Sequence, residues 1–262
     1  MHRFFILLLL PSALMANEVD RIQTKEDVRQ FMIRHFDTSF RSEAIDGFYK
    51  LDLDHNGSTD LVVSAGRFYV MMDMGGDEYE PHQLITGDSF NDGSIFSIDS
   101  SDRALRLVLK YKDFQNTILD TVVWFGRDFM EYNRRPDSAI DFDELHFTAY
   151  GCYGECPQYE LTIMRDGSMV YMPKAYTGKK KDVRVRATAG EMNTLRSILG
   201  YMGLDRMDSV YSPFTQDAPG YLLEISYRGR SKKIEDKDGP STNSLAALYR
   251  ELFWFRYQLE SN

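Results

Sequence analysis

Between residues 52 and 60 the chain reads Asp52-Leu53-Asp54-His55-Asn56-Gly57-Ser58-Thr59-Asp60. Oxygen-bearing side chains recur at alternate positions, and a glycine stands at the sixth. This spacing constrains the fold more than any other stretch, because so short a loop can wrap its oxygens around one hard cation. Ca²⁺ takes roughly six to eight oxygens at about 2.3–2.6 Å. Asp52, Asp54, Asn56 and Asp60 are the expected side-chain ligands, with Ser58 supplying its backbone carbonyl. Gly57 meets the sharp turn, where a Cβ would be strained. A polar Asp/Asn/Gly turn without an ion accounts for the same residues. Neither reading implies a reaction.

The flanks decide what kind of loop this is. A helix–loop–helix calcium site needs a bidentate Glu at the twelfth position. That position is Val63, inside Leu61-Val62-Val63, which reads as a buried strand. Upstream, Phe48-Tyr49-Lys50-Leu51 is rich in strand-forming residues. The loop therefore joins two strands. With Gly66 to Asp73 and the turn from Gly75 to Tyr79, residues 48–84 resemble one calcium-binding repeat of the FG-GAP/VCBS type. The resemblance implies a bound Ca²⁺ and about one blade. No second good copy is found, Asn91-Asp92-Gly93-Ser94 being too short. A propeller needs several blades, so a full propeller is not expected.

Met1-His2-Arg3, an apolar run from Phe4 to Leu10, and Pro11-Ser12-Ala13-Leu14-Met15-Ala16 follow the order of a secretory signal peptide. Residues 1–16 are thus expected to be removed after Ala16, leaving an exported, periplasmic or secreted bacterial protein with no transmembrane segment. The net charge of −9 is unevenly spread. Asp and Glu outnumber Lys and Arg by 23 to 14 over residues 17–140, but only by 17 to 16 thereafter. That asymmetry predicts two domains, 17–137 and 138–262, joined through the linker-like stretch from Asn133 to Ser138. An acidic chain is a poor match to nucleic-acid phosphates, so no nucleic-acid partner is expected.

Apolar spacing predicts a helix from Thr24 to Phe36, capped by Thr24 and Asp27, and a second from Thr188 to Tyr201. A third is predicted from Ser241 to Leu259. Between the first two lie strand patterns at 94–99, 104–111, 117–125, 128–132, 146–150, 159–164 and 168–172. A hairpin is expected about Arg228-Gly229-Arg230. Hairpins alternating with helices predict an α+β fold: a β-rich N-terminal part with one calcium hairpin, then an antiparallel sheet with two covering helices.

Cys152 and Cys156 are the chain's two cysteines. An extended five-residue segment would hold them about 13 Å apart, so a bridge requires a turn, which Gly151 and Gly154 permit. In an oxidising compartment a structural disulfide is the default. A thiol oxidoreductase, or a soft-metal site recruiting His146, stays open at this level. The run Cys152-Tyr153-Gly154-Glu155-Cys156-Pro157-Gln158-Tyr159, with the Asp166-Gly167 hairpin and Asp217-x-Pro219, resembles an exported bacterial family of unknown function. Its mark is Cys-x-Gly-x-Cys-Pro-x-Tyr, and the likeness covers about residues 145–259. It implies an envelope or secreted α+β domain and carries over no catalytic residue.

Lys179-Lys180-Lys181, Arg184 and Arg186 could form a basic face for an anionic partner, or simply protect a sheet edge. No hydrolase, zinc-protease or phosphate-loop motif occurs. The reading is an exported, non-catalytic, calcium-binding accessory protein with an unidentified protein or glycan partner. The alternative is a periplasmic hydrolase or thiol-redox enzyme assembled from scattered residues.

Overall fold

The computed structural model describes residues 17–85, 94–100, 105–113, 116–212, 218–237 and 239–261. The expected signal peptide, Asn91 to Gly93 and Asp217 lie outside them. The architecture is α+β, as the hairpin-and-helix pattern predicts; the described residues form three antiparallel or mainly antiparallel sheets and three α-helices.

Helix α1 (Lys25–His35) begins as expected. The Thr24 hydroxyl accepts from the Asp27 amide, and the Asp27 carboxylate accepts from the Thr24 amide, closing a capping box. Val28, Phe31 and Met32 on its inner stripe pack against one face of a four-stranded meander. The strands are β1 (Gly47–Leu51), β2 (Asp60–Ala65), β3 (Arg67–Gly75) and β4 (Glu78–Leu84). Every residue of β2 is buried, because the sheet is covered on both sides. Leu61, Val63 and Ala65 face α1, whereas Val62 faces the opposite way.

What lies on that other face is a second four-stranded meander: β5 (Ser94–Asp99), β6 (Arg106–Asp113), β7 (Asn116–Phe125) and β8 (Asp128–Glu131). Val62, Phe68, Val70 and Met72 of the first sheet meet Leu107, Leu109, Val122 and Phe129 of the second in a shared core. Only the first meander carries the aspartate loop. The second preserves the strand order without the ion-binding sequence, which is why repeat pattern alone does not reveal it.

The largest sheet follows, in the order β12-β11-β10-β9-β14-β15-β13. Its strands are β9 (Phe142–Ala149), β10 (Gln158–Met164), β11 (Ser168–Ala175), β12 (Val183–Arg186), β13 (Val210–Tyr211), β14 (Tyr221–Tyr227) and β15 (Arg230–Asp236). One departure from the antiparallel expectation is β13, which pairs parallel to β15. Alternate residues Leu145, Phe147, Leu161, Ile163, Leu223 and Ile225 point to one face. Helices α2 (Ala189–Tyr201) and α3 (Asn243–Ser261) bury their apolar stripes there through Leu195, Leu199, Leu248 and Leu252. The basic strand β12 closes one edge, pairing only with β11.

The start of α3 is fixed from outside its own sheet. Glu131 of β8 accepts through Oε1 from the Asn243 amide at 2.6 Å and through Oε2 from the Ser244 amide at 2.8 Å. The Asn243 side chain in turn spans both backbone groups of Ile85. A carboxylate at a helix N-terminus satisfies orphan amides and complements the helix dipole.

Candidate metal site and disulfide loop

The loop of residues 52–59 closes the β1–β2 hairpin, with Leu51 paired to Asp60. Asp60 is fully buried at the start of β2. Its Oδ2 accepts from the Leu53 amide and its Oδ1 from the Asp73 amide, each at 2.8 Å. It thus holds the loop to β3 as well as facing its centre. Asp52 accepts from the Asn56 amide at 3.0 Å and the Gly57 amide at 3.1 Å, and Asp54 accepts from the Asn56 amide at 3.1 Å. Gly57 takes φ 88°, the left-handed conformation expected of it. His55 also turns left-handed, at φ 61°, so the loop reverses twice within three residues.

These bonds bring three carboxylates together. Asp52, Asp54 and Asp60 each place an oxygen within 4.8 Å of the others. Burial pushes the Asp60 carboxyl up to about 7, and the charges of Asp54 and Asp52 push it the same way. Like charges at this separation repel, and a divalent cation among them would offset that repulsion by attracting each carboxylate. The donor set consists of hard oxygens, which suits Ca²⁺ rather than a thiolate-seeking metal.

The other two expected ligands sit differently. The Asn56 amide nitrogen points toward Asp54 Oδ2 at 3.1 Å and the Asp73 carbonyl at 3.0 Å, while its oxygen accepts from the Ser58 amide at 2.7 Å. A half-turn of that amide would present oxygen to an ion instead. Ser58 uses its backbone amide within the loop. Two supporting residues have no local signal in the sequence. Buried Asp73 accepts from the Gly75 amide at 2.6 Å and from the Asn17 side chain at 2.6 Å. Asn17 also donates to the Thr59 carbonyl at 2.9 Å, bracing the far end of the loop. Their separation along the chain, from 17 to 59 to 73, hides them from any motif.

Cys152 and Cys156 are joined as a disulfide, with Cα atoms 5.6 Å apart. The ring lies in the connection between β9 and β10, adjacent antiparallel strands that pair Ala149 with Tyr159. Within it the Gly154 amide donates to the Cys152 carbonyl at 2.9 Å. Gly151 is packed so closely on the Gln158 side chain that a Cβ would collide with its amide nitrogen. Tyr153 at the tip is 89% exposed. A strand, not a helix, follows the second cysteine, unlike the helix start that activates a redox thiol. His146 is engaged elsewhere, its Nδ1 lying 2.9 Å from the Thr162 hydroxyl. Among the described residues the cysteines join no metal-compatible cluster.

One histidine–carboxylate pair is more deeply placed. His82 of β4, 1% exposed, sets Nδ1 3.0 Å from Asp128 Oδ1 at the start of β8. Its ring stands edge-on to Trp124 and Phe129. Arg250 of α3 reaches Asp128 at 2.9 Å and Glu80 at 3.0 Å. The group ties β4, β8 and α3 together.

Comparison with known proteins bears on the C-terminal part. Residues 143–255 match the model of a family described as Domain of unknown function (DUF6438), from β9 through most of α3. The disulfide loop falls inside the match and the aspartate loop outside it. No curated protein and no solved structure matches the chain. Among the described residues no helix is long and apolar enough to cross a membrane.

Proposed function

We propose that this is an exported, non-catalytic binding or accessory protein whose β1–β2 hairpin is organised by one Ca²⁺. The observation that carries the reading is the convergence of Asp52, Asp54 and Asp60 with one member wholly buried. Asp52 and Asp54 would bind from the exposed side and Asp60 from beneath, with Asn56 after its amide turns and the Ser58 carbonyl completing the shell. The ion's role is electrostatic: it neutralises the carboxylates and fixes the hairpin against β3. The likeness of residues 48–84 to an FG-GAP/VCBS repeat supports the same ion, and the signal-like residues 1–16 support export. A disulfide between Cys152 and Cys156 fits an oxidising compartment.

The non-catalytic part rests on the condition of the chemical groups. The cysteines are paired with each other, and the His82 ring of the His82–Asp128 pair is buried against Trp124 and Phe129. Native mass spectrometry of protein recovered from the cell envelope tests the reading. The expected spectrum shows a chain beginning at Asn17 and one calcium adduct, the adduct disappearing in Asp52→Ala. A calcium-free spectrum in millimolar Ca²⁺ would remove the metal from this account, and a chain still carrying residues 1–16 would remove the cleaved leader.

A further inference from the structure

Both tryptophans of the chain, Trp124 and Trp254, line a single cleft of about 660 Å³. It lies between α3, the β7–β8 turn and the aspartate-loop hairpin. Trp254 and Tyr257 occupy successive turns of α3, 46% and 60% exposed, with ring centroids 5.9 Å apart and planes inclined by only 22°. Together they form a near-parallel, stacked aromatic pair at the cleft edge. Trp124 forms an inner wall and is held by the edges of His82 and Phe129. Exposed apolar rings gathered beside a concavity mark a binding surface more than isolated ones do.

The charges in the cleft narrow the ligand. Asp54, Glu80 and Glu251 would repel an anion, and Arg127 and Arg250 would repel a cation. Glu80 is fixed by Arg250 at 3.0 Å, so this wall is stiff before any ligand arrives. Glu251 is partly withdrawn from water, and burial shifts its carboxyl upward. The chemistry that remains is a neutral molecule with an apolar face for the rings and hydroxyls for carboxylates and guanidinium groups. A pyranose ring has both: axial C–H bonds on its faces and hydroxyls around its edge. A second cavity of about 370 Å³ shares Gly126, Arg127, Arg250 and Glu251 and so lies next to the first, offering room for a neighbouring sugar unit.

We propose that this trough binds an oligosaccharide, with Trp254 and Tyr257 as the stacking pair and Glu80, Glu251 and Arg127 reading its hydroxyls. The proposal deepens the binding-module reading above; Asp54 lines the trough and is also a proposed Ca²⁺ ligand, so the glycan array is run both with Ca²⁺ and with chelator. Fluorescently labelled full-length protein on a glycan array, beside the double variant Trp254→Ala/Tyr257→Ala, tests it. Both substituted side chains are exposed, and an unchanged circular dichroism melt confirms that the variant folds. The expected result is retention of wild type on at least one class of neutral glycan, weakened about tenfold or more in the variant. The corresponding free oligosaccharide should then shift the intrinsic tryptophan emission saturably, since both indoles line the trough. Failure to retain any glycan, or equal retention by both proteins, would overturn the proposal. So would a saturable response to tetramethylammonium alone, which identifies a cation site, or self-association abolished by the double substitution, which identifies a second copy of the chain. Cleavage of the bound glycan would sustain the sugar site while refuting the non-catalytic reading.

Discussion

Two loops, each closing a pair of antiparallel strands, are held by opposite means. The loop at 52–59 is anchored through the interior: buried Asp60 reaches β3, while Asn17 and Asp73 brace it from distant parts of the chain. The loop at 151–157 points into solvent and is closed by its own covalent bond, its tip Tyr153 almost fully exposed. The first concentrates negative charge that an ion would neutralise. The second carries no such charge cluster and answers only to reduction. Electrostatic anchoring couples a loop to the core, whereas a short disulfide mainly limits the freedom of the unfolded chain.

The sharpest way to break this contrast is at Asp60. Asp60→Ala leaves the buried Leu53 and Asp73 amides without their acceptor. It should cost roughly 3 kcal/mol at saturating Ca²⁺ by urea denaturation, since each unmet buried group costs about 1–3 kcal/mol. A cost below about 1 kcal/mol would show that the loop is not anchored through this residue. Replacing both cysteines by Ser should cost about 2 kcal/mol, the loop-entropy value for so short a ring, measured in the same way. The substitution should leave calcium affinity unchanged, because the two loops share no bonded partner. An altered affinity would join what the structure separates.

Chelation comes next. If the site's Kd is about 10⁻⁴ M, removing Ca²⁺ from a solution holding about 1 mM should lower stability by about 1.4 kcal/mol. The effect of pH on the chelated protein follows from the same buried carboxyl. Asp60 has its folded carboxyl raised to about 7, above its unfolded value, so the folded state holds the extra proton between those limits. Stability of the chelated protein should therefore fall as pH rises from about 5 to about 8. Ca²⁺ should cancel that fall, which thermal melts with and without chelator will compare directly.

Much of the fold was legible because local pattern and tertiary role agreed. Thr24 and Asp27 announce a cap that forms, and Leu61-Val62-Val63 reads as a buried strand because both its faces are covered. The strands that escaped notice lack such agreement. Val210–Tyr211 of β13 is too short for any period and gains its place by parallel pairing with β15. Val183–Arg186 of β12 alternates valine with arginine; its bounds as a strand were not read from the sequence, but the expectation that these basic residues protect a sheet edge fits its outermost place. At the site, the alternating oxygens identified the aspartate loop, and the structure brings Asp52, Asp54 and Asp60 together. Asn17 and Asp73 were invisible because chain folding, not spacing, delivers them. The aromatic trough is the extreme case, assembled from Asp54, Glu80, residues 124–127 and one face of α3.

The central claim is that one cation belongs among those three aspartates. Isothermal titration of Ca²⁺ into the chelator-stripped protein tests it most directly. The expected isotherm shows one site with a Kd of about 10⁻⁴–10⁻³ M, lost in Asp54→Ala and retained when Cys152 and Cys156 are both replaced by Ser. Absence of binding heat at millimolar Ca²⁺, or an isotherm that survives Asp54→Ala, would contradict it.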